Sequence, residues 1–300
     1  MIALTIGLAV FVGIALGLLG GGGSILTVPL LAYVAGMDAK QAIATSLLVV
    51  GVTSAIGAIS HARAGRVQWR TGLIFGAAGM AGAYAGGLLA QFIPGTILLI
   101  GFAIMMIATA IAMLRGRKTV EATDSNHHRL PVPKILAEGL VVGLVTGLVG
   151  AGGGFLVVPA LALLGGLPMP IAVGTSLVVI AMKSFAGLAG YLSSVQINWT
   201  VALGVTAAAV VGALLGARLT AIINPDALRK TFGWFVLAMS SVILAQEIHP
   251  AVGLAAAALT IIAGGLYLAC TRKDLCPLRM LIPGRREPVA IGQPAPQTSS

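Results

Sequence analysis

The sequence is poor in charge: 9% of its 300 residues are Asp, Glu, Lys or Arg, where a soluble domain carries about 25%. So few charges cannot cover a water-exposed surface, which excludes an ordinary soluble domain. Acidic residues are scarcer than basic ones, 8 against 18, giving a net charge of +10. A basic surplus can mark nucleic-acid binding, but here it lies in short loops and the tail, as membrane orientation signals do. Nucleic acid is therefore not an expected partner. Cysteine is nearly absent, and Cys270 and Cys276 read as reduced, inert thiols near the end of the last apolar segment. Lys and Arg are missing before Lys40, so the apolar start lacks a signal peptide's basic region and residues 1–19 are expected in the mature fold. There is no Walker lysine-serine motif, which argues against ATP-driven pumping by this chain alone. No intramembrane Ser-His or paired-Asp set suggests an enzyme. His127-His128 has no further ligands beside it, so neither a metal nor a cofactor is expected.

Apolar length is what the chain has instead. Hydrophobic residues make up 58% and the mean hydropathy is +1.04, with repeated stretches of about 20 residues, long enough to cross a bilayer as helices. Nothing alternates as a transmembrane barrel strand would. The fold class expected is an all-α polytopic membrane protein. The apolar segments run over 2–19, 24–36, 42–60, 71–90 and 97–114, then 135–149, 155–167, 171–192, 200–222 and 229–247, with an extra one at 250–270. The implied organisation is a first membrane repeat at 1–114, a cytoplasmic linker at 115–134 and a second repeat at 135–247. An extra C-terminal transmembrane helix at 248–271 and a basic, then Pro-, Gln- and Ser-rich cytoplasmic tail at 272–300, expected to be disordered, complete it.

Two stretches organise the chain. Gly17–Pro29, a glycine cluster between apolar runs that ends in Val28-Pro29, recurs as Gly147–Pro159 at an offset of 130. The same offset pairs Thr45-Ser46-Leu47 with Thr175-Ser176-Leu177, Ser54 with Ser184, Gly57 with Gly187, Trp69 with Trp199, Gly82 with Gly212, Gly86 with Gly216 and Phe102 with Phe232. Glycine costs a helix about 0.8–1 kcal/mol relative to Ala, so each cluster should interrupt one. In hydrocarbon such a break survives only where protein buries it or it lines a cavity, and paired breaks in matching halves point to a transporter's binding site.

Orientation follows from lysine and arginine. The loop His61–Arg70 holds Arg63, Arg66 and Arg70, whereas its counterpart Ser193–Trp199 has no charge; Gln91–Thr96 is neutral, whereas its partner region holds Arg229 and Lys230. Basic and neutral loops swap between copies, which predicts inverted-topology repeats, each a glycine-broken hairpin of short helices followed by three transmembrane helices. The alternative, one broken helix per half, makes the repeats parallel and exports the basic tail.

The glycine cluster followed by hydrophobics and Val-Pro, then Ala44-Thr45-Ser46-Leu47 or Gly174-Thr175-Ser176-Leu177, resembles the TauE/SafE sulfite exporter family from about Ile6 to Cys270. That resemblance implies a carrier of sulfite, organosulfonates or other small sulfur-containing or organic anions, in a bacterial inner membrane. The residues themselves also favour an anion. Exposed amides of Gly20, Gly21, Gly22, Gly23, Gly150, Gly152, Gly153 and Gly154, and the helix starts just beyond them, present positive dipole ends. Ser24, Thr45, Ser46, Thr175 and Ser176 can donate hydroxyl hydrogen bonds, although the Thr-Ser pairs are equally explained by bonds to their own helices. Close helix packing is the plainer role for Gly36, Gly82, Gly86, Gly212 and Gly216.

Lys183 is the sharpest single residue. It stands mid-segment in Gly174–Tyr191, where its counterpart is Thr53. A mid-span lysine costs several kcal/mol unless it faces a cavity or a partner, so it is expected to attract the anion. Arg218 is expected to snorkel, His61 and Arg63 to be a solvated loop edge, and Asp38, Glu138 and Glu247 to be solvated span ends. The expected partners are a small anionic substrate and the lipid bilayer. The coupling ion (a proton is one option), the direction of transport and the assembly of homo-oligomers stay open, as does a non-transporting scaffold on the same fold.

Overall fold

The structure, a computed structural model, describes residues 2–19, 25–114, 132–150, 157–158, 161, 167, 169–219 and 225–271. Every regular element among these residues is helical. They are α1 (Ile2–Leu19), α2 (Thr27–Pro29, running on as a π-helical turn Leu30–Val34), α3 (Ala39–Arg63), α4 (Trp69–Leu89), α5 (Gly95–Leu114), α6 (Val132–Val149), α7 (Met169–Tyr191), α8 (Trp199–Leu219), α9 (Pro225–Glu247) and α10 (Pro250–Thr271). Met1–Ala257 forms one compact unit; a second begins at Ala258, and its described part is the end of α10.

The all-helical expectation holds, with α1 spanning the apolar segment 2–19 and α3, α4, α7 and α8 lying within a few residues of theirs. Four helices, Ala39–Arg63, Trp69–Phe92, Ile171–Tyr191 and Trp199–Leu219, are long and apolar enough to cross a membrane. Phe11, Leu73, Ile104, Val141 and Leu203 are large apolar side chains left exposed on this unit. A surface of that kind suits lipid rather than water. Trp69 and Trp199, exposed at the first residues of α4 and α8, occupy positions typical of interfacial aromatics.

Local chemistry sets the helix ends. Asp38 caps α3, its carboxylate accepting from the Lys40 amide at 3.2 Å; it is a cap as well as an exposed acid. At the other end Gly65 takes a φ of +67°, which costs glycine little, and the Arg66 amide donates to the His61 carbonyl at 2.9 Å. That closes α3 with an αL glycine cap. The short segment after the first glycine cluster is different in kind. Its eight helical residues, Thr27–Val34, reach about 12 Å at 1.5 Å per residue, far short of a ~30 Å hydrocarbon core. Ile25, Val28 and Leu31 are nevertheless fully buried. Protein, not lipid, surrounds this piece.

The 130-residue register governs the tertiary contacts too. α1 packs along α8 and α6 along α4; α3 packs on α7 and α5 on α9. In each of the first two pairs the opening helix of one half lies on the third long helix of the other. A Cβ at Gly13 or Gly17 would strike the backbone of Ala209 or Ala213, and one at Gly143 or Gly147 that of Gly79 or Ala83. Each residue in the second set is the first plus or minus 130. Gly82 and Gly86 face α6 backbone as Gly212 and Gly216 face α1 backbone, the close-packing role expected of them. Gly36 departs from that expectation: no atom lies within 4 Å of a Cβ built there, and its φ is +68°, so it is a turn residue. One backbone bond beyond the glycine clusters repeats as well. The Met37 amide donates to the Leu31 carbonyl at 3.1 Å, and the Leu167 amide to the Leu161 carbonyl at 3.3 Å.

Candidate functional site

α3 and α7, packed on each other, carry the Thr-Ser pairs and Lys183. Thr45, Ser46, Thr175 and Ser176 are all buried. The Ser46 hydroxyl donates to the Gly150 carbonyl at 3.1 Å, tying the start of the second glycine cluster to the first half. The Ser176 hydroxyl donates to the Val173 carbonyl of its own helix at 2.8 Å. Thr175 Oγ1 accepts from the Gln68 amide at 2.9 Å. The bonds of Ser46 and Thr175 therefore join the two halves, a use that sequence spacing does not reveal.

Gly150 closes α6 with a φ of +73°. Its amide donates to the Thr146 carbonyl at 2.9 Å, and a Cβ there would run into Ile43 of α3. Gly20, Gly21, Gly22, Gly23, Ser24, Gly152, Gly153 and Gly154 lie outside the described residues.

Lys183 is 1% exposed. Small residues make its room: a Cβ at Gly79 of α4 would stand 3.9 Å from Lys183 Cβ and 4.0 Å from its Cδ. Its Nζ donates to Thr146 Oγ1 of α6 at 3.2 Å. Thr146 can accept because its own hydroxyl proton goes to the Val142 carbonyl at 2.7 Å. Among the described residues this is the lysine's single hydrogen-bond partner, and no carboxylate is paired with it. Next to it, Ser184 Oγ is buried without any partner. The junction of α4, α6 and α7 thus holds a buried amine whose partner there is neutral. Sequence reasoning passed over Thr146. Its signal was present in the repeat: where the second half has Thr146 and Lys183, the first has Leu16 and Thr53.

The equivalent place in the first half is empty space. A cavity of about 90 Å3 lies among α1, α3, α7 and α8, with Leu16, Thr53, Ser54, Ser60, His61 and Leu177 in its wall. Ser54 and His61, two of these wall residues, each carry a buried polar atom without a hydrogen-bond partner, Ser54 Oγ and His61 Nδ1. His61 therefore does more than mark a loop edge. In the second half Tyr191, the residue 130 positions beyond His61, is fully buried and donates its hydroxyl to the Leu148 carbonyl. Among the other charged positions, Glu247 accepts from the Tyr33 hydroxyl at 3.1 Å, while Arg63 and Arg218 are exposed. No group of three or more His, Cys, Asp or Glu among the described residues could hold a metal ion.

A bundle of apolar helices whose two halves exchange partners around a buried lysine belongs to the polytopic membrane proteins, and the comparisons with known proteins narrow that class. The family model for the sulfite exporter TauE/SafE matches residues 5–243, and the chain belongs to this family of membrane transporters. A probable membrane transporter protein of Xylella fastidiosa strain Temecula1 is 38% identical over 245 residues, covering 79% of this chain and 92% of that protein. The probable membrane transporter protein YunE of Bacillus subtilis is 31% identical over 236 residues, 71% of this chain and 85% of its own. One from Methanocaldococcus jannaschii is 32% identical over 197 residues, 62% and 72% respectively. No solved structure matches the chain significantly.

Proposed function

We propose that the chain is a secondary carrier of a small anion, sulfite, an organosulfonate or a related sulfur-containing or organic anion, working by alternating access. The observation that carries this reading is Lys183, fully buried with one neutral partner and no countercharge among the described residues. A buried unpaired ion costs several kcal/mol. An arriving anion would supply the missing charge. The glycine clusters and the Thr-Ser pairs would line the route, with Ser46 and Gly150 at the contact between halves.

Three features support alternating access. The halves pair helix for helix at a constant offset, their first and third long helices exchange partners, and basic and neutral loops swap between copies. An inverted arrangement across the bilayer fits all three. The arginines of the His61–Arg70 loop would then lie in the cytoplasm with the C-terminus, in a bacterial inner membrane. Anion export from a negative interior would be favoured by about 2.3 kcal/mol per charge per 100 mV.

Proteoliposomes loaded with radiolabelled sulfite, methanesulfonate or sulfate test the reading. The wild-type chain should release at least one of them and Lys183→Met should not, while both insert and purify alike. Flux of every anion at the protein-free leak rate would leave the scaffold reading in its place.

A further inference from the structure

We propose that the cavity walled by Thr53, Ser54, Ser60 and His61 is a second anion site, an electrically neutral vestibule for a small oxyanion on its way to or from Lys183. This rests on the transport reading. The cavity occupies the place that the 130-residue register assigns to the Lys183 junction, with Thr53 where Lys183 stands, Leu16 where Thr146 stands and His61 where Tyr191 stands. In the second half the buried side chains of Lys183 and Tyr191 stand at these positions; in the first the space is open.

Its chemistry suits a hydrogen-bond-accepting solute. Ser54 is 2% exposed and its hydroxyl, buried without a partner, belongs to the cavity wall. His61 Nδ1 is a second buried polar atom with nothing bonded to it. Thr53 adds less, because its hydroxyl proton already goes to the Val49 and Val50 carbonyls at 2.7 and 3.1 Å. Apolar residues such as Leu16, Leu177 and Val210 complete the wall, and no Asp, Glu, Lys or Arg is part of it. Ser54 and His61 both line the hollow, and polar atoms left without partners are costly unless some group reaches them. About 90 Å3 is well above the roughly 10–15 Å3 that a single water needs, so the hollow has room for a compact oxyanion.

Access and charge at the rim agree with this. The wall runs from buried Ser54 to exposed Ser60 and Ala217, so the hollow opens where α3 ends. Arg63 and Arg66, flanking that end, and Arg218, next to Ala217, are exposed. Cations around a low-dielectric opening raise the local anion concentration. The inner wall then holds the solute by hydrogen bonds alone, weakly enough for it to move on.

The test is equilibrium binding of radiolabelled sulfite to the full chain in nanodiscs, in a Lys183→Met background so that the cavity is the site being read. Saturable binding is expected. Ser54→Ala, a one-atom deletion that the fold should tolerate, should weaken it at least tenfold, as loss of a hydrogen bond to a charged group does. Ser54→Leu should abolish it by filling the hollow, and Thr109→Val, removing a remote hydroxyl on α5, should leave it unchanged. No saturable binding, or binding indifferent to both Ser54 substitutions in monodisperse protein, overturns the proposal. Cavity binding without wild-type flux would overturn the transport reading instead, whereas wild-type flux with Ser54-independent binding would overturn the vestibule alone.

Discussion

Gly143→Ala and Gly204→Ala should shift stability in opposite directions, although both add one methyl to a long apolar helix. A Cβ at Gly143 would stand 2.8 Å from Gly79 Cα and 2.9 Å from its carbonyl carbon. Non-bonded carbons rest at about 3.5–4.0 Å, so α4 and α6 would have to part by at least about 0.7 Å. Both atoms belong to backbone, so no side chain can swing aside. Overpacking of this kind costs about 1–3 kcal/mol, and the better helix propensity of Ala returns about 0.8–1. With rigid neighbours the upper end applies, a net loss of about 2 kcal/mol. At Gly204 nothing lies within 4 Å of the added atom, so the propensity gain of up to about 1 kcal/mol stands alone. At about 2–4 °C per kcal/mol for a chain of this size, Gly143→Ala should lower the apparent Tm by about 4–8 °C and Gly204→Ala raise it by about 2–4 °C. Gly13→Ala should match Gly143→Ala, since its Cβ would meet Ala209 Cα and carbonyl carbon at 2.8 Å. Fluorescence-detected gel filtration after stepwise heating reads all three. Equal shifts at Gly143 and Gly204, or a harmless Gly143→Ala, would refute the interlocked packing of the two halves.

Three further outcomes follow from single contacts. Gly150→Ala combines an αL backbone, worth about 1–2 kcal/mol against any L side chain, with a Cβ driven into Ile43; it should lower the melting temperature more than Ser46→Ala, which removes one hydrogen bond to Gly150 worth about 0.5–1.5 kcal/mol. Tyr191→Phe strips the Leu148 carbonyl of its donor and should cost about 1–3 kcal/mol in the same melt, with His61→Phe, whose Nδ1 has no partner to lose, costing less. Lys183→Met should abolish anion flux while leaving stability equal or higher by up to about 4 kcal/mol, because an apolar side chain of similar volume replaces an uncompensated charge; a large loss of stability would show that the lysine is structural.

Length and hydropathy made the helices legible, because crossing a bilayer demands unbroken apolar runs and little else in the chain competes with them. The offset between halves was legible for a related reason. Glycines at Gly82, Gly86, Gly212 and Gly216 are held by backbone-to-backbone contact, which no other residue permits, so the register stays visible. The exchange of α1 and α6 between halves was not, since a glycine face does not say which partner it meets. Gly36 misled for the same reason: a close-packing glycine and a turn glycine look alike until φ is known. At the site, Lys183 announced itself by cost, whereas Ser54, His61 and Thr146 did not. A hydroxyl in an apolar helix is cheap while bonded to its own backbone, as Thr53 and Thr146 are. Only coordinates show that Ser54 and Ser184 are not.

The unequal halves bear on stoichiometry. Where the second copy has Lys183 and Thr146, the first has Thr53 and Leu16, so the amine and the hydroxyl that accepts its hydrogen bond are absent together. Had both copies kept a lysine, two uncompensated ammonium groups would be buried in one bundle. A single monoanion would leave one of them unpaired at a cost of several kcal/mol, and a dianion would be held too firmly to leave. One lysine opposite one neutral cavity avoids both outcomes. On the proposed reading the anion would be neutralised at one position and held by hydrogen bonds at the other, with neither position deep enough to trap it. On the transport reading, the departure from two-fold symmetry at Thr53 and Lys183 gives one anion two unlike resting places.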